Sequence, residues 1–285
     1  MELNDLTVIV VTYNSGHCIE RLSAGLKNAS NVIIVDNGSH DNTLAQIALF
    51  LPQARIEASA SNLGFGAANN RALALVTTPF ALLLNPDCGV SHQSLELLLT
   101  QAEQQPQAAM LVPQLMGARG KPTLNYGWVK HSWRSKGGVA DGLCCVGYAS
   151  GAAMLLNMAV TKPYGYFDES FFLYYEDDDL CLKYFNARLA IIVVPWVQVF
   201  HASRGSVKSG NLIKQEYWRG FHHAQSKLRI TQKYEGLKQA KRLKTKKMFS
   251  ASMAIVFRLL TLNPRLCARM VGRFIGMSQF LWGTK

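Results

Sequence analysis

Leu6–Asn14 reads LTVIVVTYN. Apolar and β-branched residues run through it without alternation, the pattern of a strand buried on both faces of a parallel sheet. Asn14-Ser15-Gly16 breaks the run, and His17–Lys27 then has helical spacing at Ile19, Leu22 and Leu26. The unit recurs. Val32–Val35 is a second buried strand ending in the turn cluster Asp36-Asn37-Gly38-Ser39, and Asp41-Asn42-Thr43 caps a helix through Phe50. Ala54–Ala58 fits a short third strand. The loop Asn62-Leu63-Gly64-Phe65-Gly66 and a small-residue helix, Ala67–Val76, follow it. Phe80–Leu84 is a fourth buried strand, ending at Asn85-Pro86-Asp87, and Ser91–Gln105 reads as a helix. Strands and helices alternating in this way predict βαβ units and an α/β fold with right-handed crossovers.

Polar clusters stand just after three of these strands: Thr12-Tyr13-Asn14, Asp36-Asn37 and Asn85-Pro86-Asp87. Each alone is ordinary turn chemistry. Together they lie where open α/β sheets bind ligands, beyond the carboxyl ends of the strands. Ala108–Pro113 is a further candidate strand. Residues 117–148, rich in Gly and Lys, read as a long loop region of the kind that covers sites. Ala149–Leu156 reads as one strand, in which Gly151 allows either close approach to a ligand or tight packing. Phe171–Lys183, FFLYYEDDDLCLK, runs aromatic residues into four consecutive acids. Acids suit a helix start, so the run is either a capped helix or the setting of a general base. Ala190–Phe200 is a strand interrupted by Pro195, with His201 at its end. A polar loop, Ser203–Gly210, precedes a helical pattern from Leu212 to Tyr234.

The net charge of +12 belongs to the tail. Residues 227–285 hold fourteen Lys and Arg against one acid, Glu235. Lys238–Lys247 is a basic run, Met248–Leu262 is mostly apolar, and Arg265, Arg269 and Arg273 form a stripe at i, i+4, i+8. No run reaches the ~18–20 apolar residues of a membrane span. The N-terminus lacks the basic residues of a signal peptide, so none is expected. Six cysteines without metal or disulfide spacing read as reduced thiols.

The order of the motifs resembles family 2 glycosyltransferases, most closely their rhamnosyltransferase-like branch. The matching stretches are VIVVTYN (8–14), VDNGS with Asp41 (35–39), NLGFGAANN (62–70), LLNPD (83–87), SGAAM (150–154) and FDESFFLYYEDDDLCLK (167–183). His201 with Gly205 and Ser206 matches the family's histidine-bearing element. The resemblance implies a GT-A fold, a Rossmann-like and mostly parallel central sheet flanked by helices. Here it would span residues 1–234, with residues 235–285 as a basic helical extension. It implies inverting transfer of a sugar from a nucleotide diphosphate to a hydroxyl, with Asp177 as base and Glu176 supporting it. Thr12, Tyr13, Asn14, Asp36, Asn37, Asn62, Gly64, Asn70, Asn85 and Gly151 would contact the donor. Asp87 and His201 would hold a divalent metal, Mg²⁺ or Mn²⁺. Asn85 replaces the first acid of the usual Asp-x-Asp, which weakens metal ligation there.

The branch implies dTDP-L-rhamnose as donor and a glycan or lipid-linked acceptor in bacterial surface polysaccharide or lipopolysaccharide synthesis. UDP-hexose or UDP-galactofuranose donors stay open. The tail is expected to sit peripherally on anionic lipid at the cytoplasmic face of the cell membrane; a helical lid or an oligomer contact is the alternative. No nucleic-acid motif accompanies the charge. A non-catalytic membrane adaptor with a nucleotide-binding body would leave the acidic run unexplained.

Overall fold

A computed structural model of the chain describes residues 2–203, 205–208 and 210–283. The elements in order are β1 (Leu6–Thr12), α1 (Gly16–Leu26), β2 (Asn31–Asp36), α2 (Thr43–Phe50), β3 (Arg55–Ala58), α3 (Phe65–Leu73), β4 (Phe80–Leu84), β5 (Cys88–Gly89) and α4 (His92–Gln104). Then follow β6 (Ala108–Met116), β7 (Pro122–Thr123), β8 (Tyr126–Trp128), β9 (Cys144–Ala149), β10 (Ala153–Asn157), α5 (Met158–Thr161), α6 (Glu176–Asn186) and β11 (Ala190–His201). The last three are α7 (Leu212–Glu235), α8 (Leu237–Leu260) and α9 (Pro264–Ser278). Contacts divide the chain into a sheet unit, residues 1–168 with 177–208, and a helical unit, residues 169–176 with 209–285.

The sheet runs β3-β2-β1-β4-β10-β6-β11-β9-β8, with β5 paired to β11 and β7 to β6. Its first four strands are parallel, as the βαβ pattern predicts. Val8 and Val10 face one core with Leu22, Ile34 and Leu82. Ile9 faces the other with Ile33, Leu83 and Leu180. Burial on both faces is why these runs do not alternate. β10 is inserted antiparallel between β4 and β6. An antiparallel strand starts where its neighbour ends, so Ala153 pairs with Leu84 and the preceding residues arrive at the carboxyl end of β4. β11 is parallel to β6, and its register breaks between Val194 and Gln198, around Pro195. A proline cannot donate to the ladder, so it sits at the irregularity.

Residues 117–148 are not simply a loop. β7, β8 and most of β9 lie within them, and β9 pairs with β11 and β8. The expected strand Ala149–Leu156 is two elements, β9 and β10, separated by a turn at residues 150–152. Pairing partners distant in sequence decide both cases.

In the helical unit α7 groups with α8 and α9 and with residues 169–176. Glycines explain the fit of α7 to α9. A Cβ on Gly220 would lie 2.1 Å from the Arg269 carbonyl oxygen, and one on Gly272 2.0 Å from that of Tyr217. Ala224, Leu228, Ala251, Met277 and Phe280 form the unit's core. The basic run and the apolar stretch of the tail are one helix, α8. Its Phe249, Met253, Val256, Phe257 and Leu260 repeat at helical spacing, and all are exposed, from 55% at Val256 to 78% at Leu260. Among the described residues no helix is long and apolar enough to cross a membrane.

Glu216 of α7 accepts from Arg219 Nη1 at 3.0 Å and is paired with Arg269 of α9. Burial works to raise its pKa, but the two guanidinium groups outweigh it and hold the carboxyl below its ordinary value. A carboxyl with a lowered folded pKa stabilises the fold above its unfolded pKa, and that contribution is lost as pH falls through the folded value. Glu216→Gln is therefore expected to lower thermal stability at pH 7. Its stability should fall less steeply than the wild type's on acidification below ~4.5, read by melting curves across pH.

Candidate active site

Four segments meet at the carboxyl edge of the sheet unit. The first is the end of β1 and β2. Asp36, 1% exposed, accepts from the Thr12 hydroxyl at 2.8 Å, the Ser39 hydroxyl at 2.6 Å and the Ser39 N–H at 2.9 Å. A carboxylate offers about four lone-pair positions, so one on Oδ2 stays open to a further donor. Tyr13 and Asn14 are half-buried beside it. Asn14, with φ 51°, receives the His40 N–H on Oδ1 at 2.8 Å and donates its own N–H to Ser39. Ser39 thus orients the acid and the loop together.

The second segment is the loop before α3. Asn37 is buried, donates to the Gly64 carbonyl at 3.1 Å and accepts from the Leu63 N–H. Asn62 Oδ1 accepts from the Gly64 N–H at 2.9 Å, and Gly64 has φ 87°. Asn70 donates to the Phe167 carbonyl at 2.9 Å and accepts from the Phe167 N–H at 3.0 Å. Asn37 and Asn70, expected as donor contacts, bond backbone in this structure. Asn70→Ala should lower stability by ~1–3 kcal/mol through two lost hydrogen bonds at the largely buried Phe167. Denaturant melts would record that loss.

The third segment is Asn85–Cys88 with the end of β11. Asp87, 1% exposed, accepts from the Gly205 N–H at 2.9 Å and the Ser206 hydroxyl at 2.6 Å. His201 Nε2 lies 3.5 Å from its Oδ1, brought there because His201 pairs with Cys88 across β11 and β5. Burial works to raise the Asp87 pKa, but hydrogen bonds from His201 and Ser206 lead the contributions that hold it below the ordinary carboxylate value. The Cys88 thiol completes a cluster with Asp87 and His201 within 4.8 Å. Burial pushes that thiol far above its ordinary pKa, and it bonds the Ala152 carbonyl. It is a neutral donor to that carbonyl here. Asp87 and His201 fit a hard divalent cation. Their atoms are 3.5 Å apart, compatible with adjacent corners around an ion with ligands at ~2.1 Å. The Gly205–Ser206 segment ties this corner to the start of α1. His17 Nε2 contacts the Gly205 carbonyl at 2.7 Å, and the Ser15 hydroxyl donates to that of Ser206 at 2.7 Å.

The fourth segment is the start of α6. Asp177, Leu180, Cys181 and Tyr184 recur at i, i+3, i+4, i+7, and the last three are fully buried. Asp177 thus heads the helix face that packs on the sheet. It is the one member of the acidic run that is not buried; Glu176, Asp178 and Asp179 are 6%, 7% and 0% exposed. Its Oδ2 accepts from the Tyr148 hydroxyl and the Gly151 N–H, each at 3.1 Å, and its Oδ1 from the Asp178 N–H at 2.9 Å. Three donors fix the carboxylate and again leave one lone-pair position open. Burial and the charge of Asp177 push the Tyr148 phenol well above its ordinary pKa, so it stays a donor. Arg134 bonds Asp178 and lies 3.6 Å over the Tyr148 ring. Asp178 is the partner of Arg134, while Asp177 accepts from the first turn of the helix. Glu176 does not share the exposure of Asp177, because one residue is ~100° around a helix.

The third and fourth segments are joined by the 150–152 turn. Gly151 donates to Asp177, and Ala152 accepts from the Asn85 N–H at 2.9 Å. A Cβ on Gly151 would stand 3.2 Å from the Phe65 ring and 3.6 Å from the Asp177 Cβ, so the glycine permits the close approach. Tyr148, Arg134, Ser39 and Ser206 are site residues that were not assigned from the sequence. Ser39 and Ser206 lie inside quoted motifs; nothing in the sequence marks Arg134.

A mixed α/β sheet that gathers a buried acid, a carboxylate–imidazole pair and a separate positioned carboxylate on one edge is the GT-A architecture of glycosyltransferases, and the structural neighbours agree. The chain belongs to glycosyl transferase family 2, whose family model matches residues 7–160, more than half of its length. It is 29% identical over 231 residues to the N-acetylglucosaminyl-diphospho-decaprenol L-rhamnosyltransferase of Mycobacterium tuberculosis, covering 69% of this chain and 75% of that one. It is 28% identical over 192 residues to the low-salt glycan biosynthesis hexosyltransferase Agl10 of Haloferax volcanii, covering 64% and 62%. Among solved structures, the mannosyltransferase PcManGT of Pyrobaculum calidifontis, in complex with GDP-Man and Mn²⁺, superposes with a TM-score of 0.56 at 14% identity, covering 96% of this chain and 86% of that one. GalNAc-T7 with UDP, GalNAc and Mn²⁺ gives 0.55 at 12% identity; the match covers 78% of this chain and half of that one.

Proposed function

We propose that the chain transfers L-rhamnose from dTDP-L-rhamnose, with inversion, to a hydroxyl of a glycan or lipid-linked acceptor in bacterial surface polysaccharide synthesis. The observation that carries the chemistry is Asp177, a carboxylate held by Tyr148, Gly151 and Asp178 with one acceptor position free. In one-step inversion the acceptor oxygen attacks the anomeric carbon while its proton passes to a base. Asp177 receives that proton on its open lone pair, and the nucleoside diphosphate leaves on the opposite face. Asp36 orients the nucleoside, and Asp87 and His201 would hold Mg²⁺ or Mn²⁺. A divalent ion there supplies charge stabilisation for the departing diphosphate.

The donor sugar rests on similarity to the mycobacterial L-rhamnosyltransferase. The second reading, a UDP-linked hexose or galactofuranose, is favoured by the hexosyltransferase relative. Thermal shift with dTDP-, UDP- and GDP-sugars, with Mg²⁺, Mn²⁺ or chelator, tests both. A metal-dependent shift with dTDP-L-rhamnose alone supports the first reading, and one with UDP-sugars alone replaces it.

The α8 ridge supports a peripheral seat on the inner face of the cell membrane. An exposed apolar stripe beside many lysines suits an anionic lipid surface. Deleting the tail is a poor test, because Ala251, Met277 and Phe280 belong to the core of the helical unit. Phe249→Ser with Phe257→Ser changes only exposed positions. It should reduce co-sedimentation with anionic vesicles several-fold while melting temperature holds. Unchanged co-sedimentation would remove the seat.

A further inference from the structure

The helical unit contains a cavity of ≈120 Å³ that none of the chemistry above uses. It is several times the room one water needs. Three cations line it, each from a different helix: Lys227 of α7, Lys247 of α8 and Arg273 of α9, with Ser250 beside them. No carboxylate lines it. The nearby acid on α7, Glu216, is engaged by Arg219 and Arg269. Arg273 Nε is buried and has no hydrogen-bond partner among the described residues. A buried donor left unpaired costs ~1–3 kcal/mol, which an acceptor oxygen bound at Arg273 would relieve. The cations converge: burial, Arg273, Lys227, Arg269 and Lys247 together lower the His223 pKa to about 4. His223 and apolar residues, among them Leu243, Met270 and Met277, complete the wall. Lys227 and Arg273 are half-buried and Lys247 reaches in from an exposed position, and three converging cations favour a compact anion of two or more charges.

We propose that this cavity binds a phosphomonoester or diphosphate group, held by Lys227, Lys247 and Arg273 with the Ser250 hydroxyl. The group comes either from a soluble phosphate compound or from the head of a lipid; the chemistry recognised is the same. A phosphodiester, with one charge, leaves the triad unbalanced and binds more weakly. The inference does not depend on the identity of the transferred sugar or on the role of Asp177.

The test uses the full chain with chelator present, so that metal-dependent binding at Asp87 does not contribute. Calorimetry with inorganic pyrophosphate and phosphate reads the free anion. Vesicles of phosphatidylcholine carrying phosphatidic acid, or instead phosphatidylglycerol at matched surface charge, read the lipid-borne group. Lys227→Gln with Lys247→Gln is compared with Lys238→Gln with Lys241→Gln, an equal charge change at exposed sites of α8 away from the cavity. The expected result is binding of pyrophosphate, phosphatidic acid or both by the wild type and the control pair, with at least a ~10-fold loss in the cavity pair. Pyrophosphate without phosphatidic acid assigns a soluble ligand. Phosphatidic acid over phosphatidylglycerol assigns a lipid head. Equal loss in the two pairs, or no binding to the wild type in either arm, overturns the proposal. Arg273→Gln gives a second reading: it should weaken binding as well, and retained wild-type affinity would count against the site.

Discussion

Asp177→Asn is expected to lower turnover by ~10²–10⁴ while nucleotide-sugar affinity and melting temperature stay near wild type. The size follows from removing the group that takes the acceptor proton. The preserved fold follows from the hydrogen bonds around it. An amide oxygen can still accept from Tyr148 and Gly151, which are 3.1 Å from Oδ2, and only the Asp178 N–H bond to Oδ1 is given up. The carboxylate's basicity is lost and its shape is kept. Glu176→Gln is the comparison, since Glu176 is buried and adjacent. A turnover loss confined to Asp177→Asn identifies the base. Near-wild-type turnover in that variant would remove Asp177 from the role. Steady-state kinetics of sugar transfer, with donor binding measured separately, distinguish a loss in the chemical step from a loss in binding.

Asp87→Ala should abolish the metal-dependent part of donor binding and reduce turnover by ~10²–10³, the equivalent of several kcal/mol of lost charge stabilisation on the leaving diphosphate. The carboxylate is the one anionic oxygen donor in its cluster; the other members are an imidazole and a neutral thiol. His201→Ala should act in the same direction with a smaller effect. Asp87 also anchors the Gly205 N–H and the Ser206 hydroxyl, so Asp87→Asn serves as the fold-preserving companion. Donor titrations with and without chelator give the readout. If chelator lowers wild-type donor affinity and leaves Asp87→Asn unchanged, the cation sits at Asp87. If both respond alike, it sits elsewhere.

The strands β1, β2 and β4 were legible because doubly buried runs are apolar throughout and end in turn residues. Asp177 was singled out by family resemblance, and the helix period gives an independent reason. Counting back from Leu180, Cys181 and Tyr184 by three, four and seven residues lands on it. The Arg134 partner of Asp178 was not legible, because it is 44 residues away in a segment with no periodicity. Tyr148 was hidden likewise, 29 residues from the carboxylate it holds. The backbone partners of Asn37 and Asn70, 27 and 97 residues distant, were equally out of reach of local pattern.

Sequence by itself determined the α/β class and the polar strand ends at the carboxyl edge of the sheet, because hydrophobic period and turn chemistry act within a few residues. The acids Asp36, Asp87 and Asp177 were picked out by the order of motifs shared with the family. Only the tertiary structure decided which side chains meet. Antiparallel insertion of β10 brings Gly151 to Asp177 and Ala152 to Asn85, and pairing of β11 with β5 brings His201 to Asp87. It also set three cations of the tail around one cavity, from residues that in the sequence are 46 positions apart at the extremes, Lys227 and Arg273. Those meetings depend on sheet order and helix packing, which long-range burial selects and no local spacing encodes.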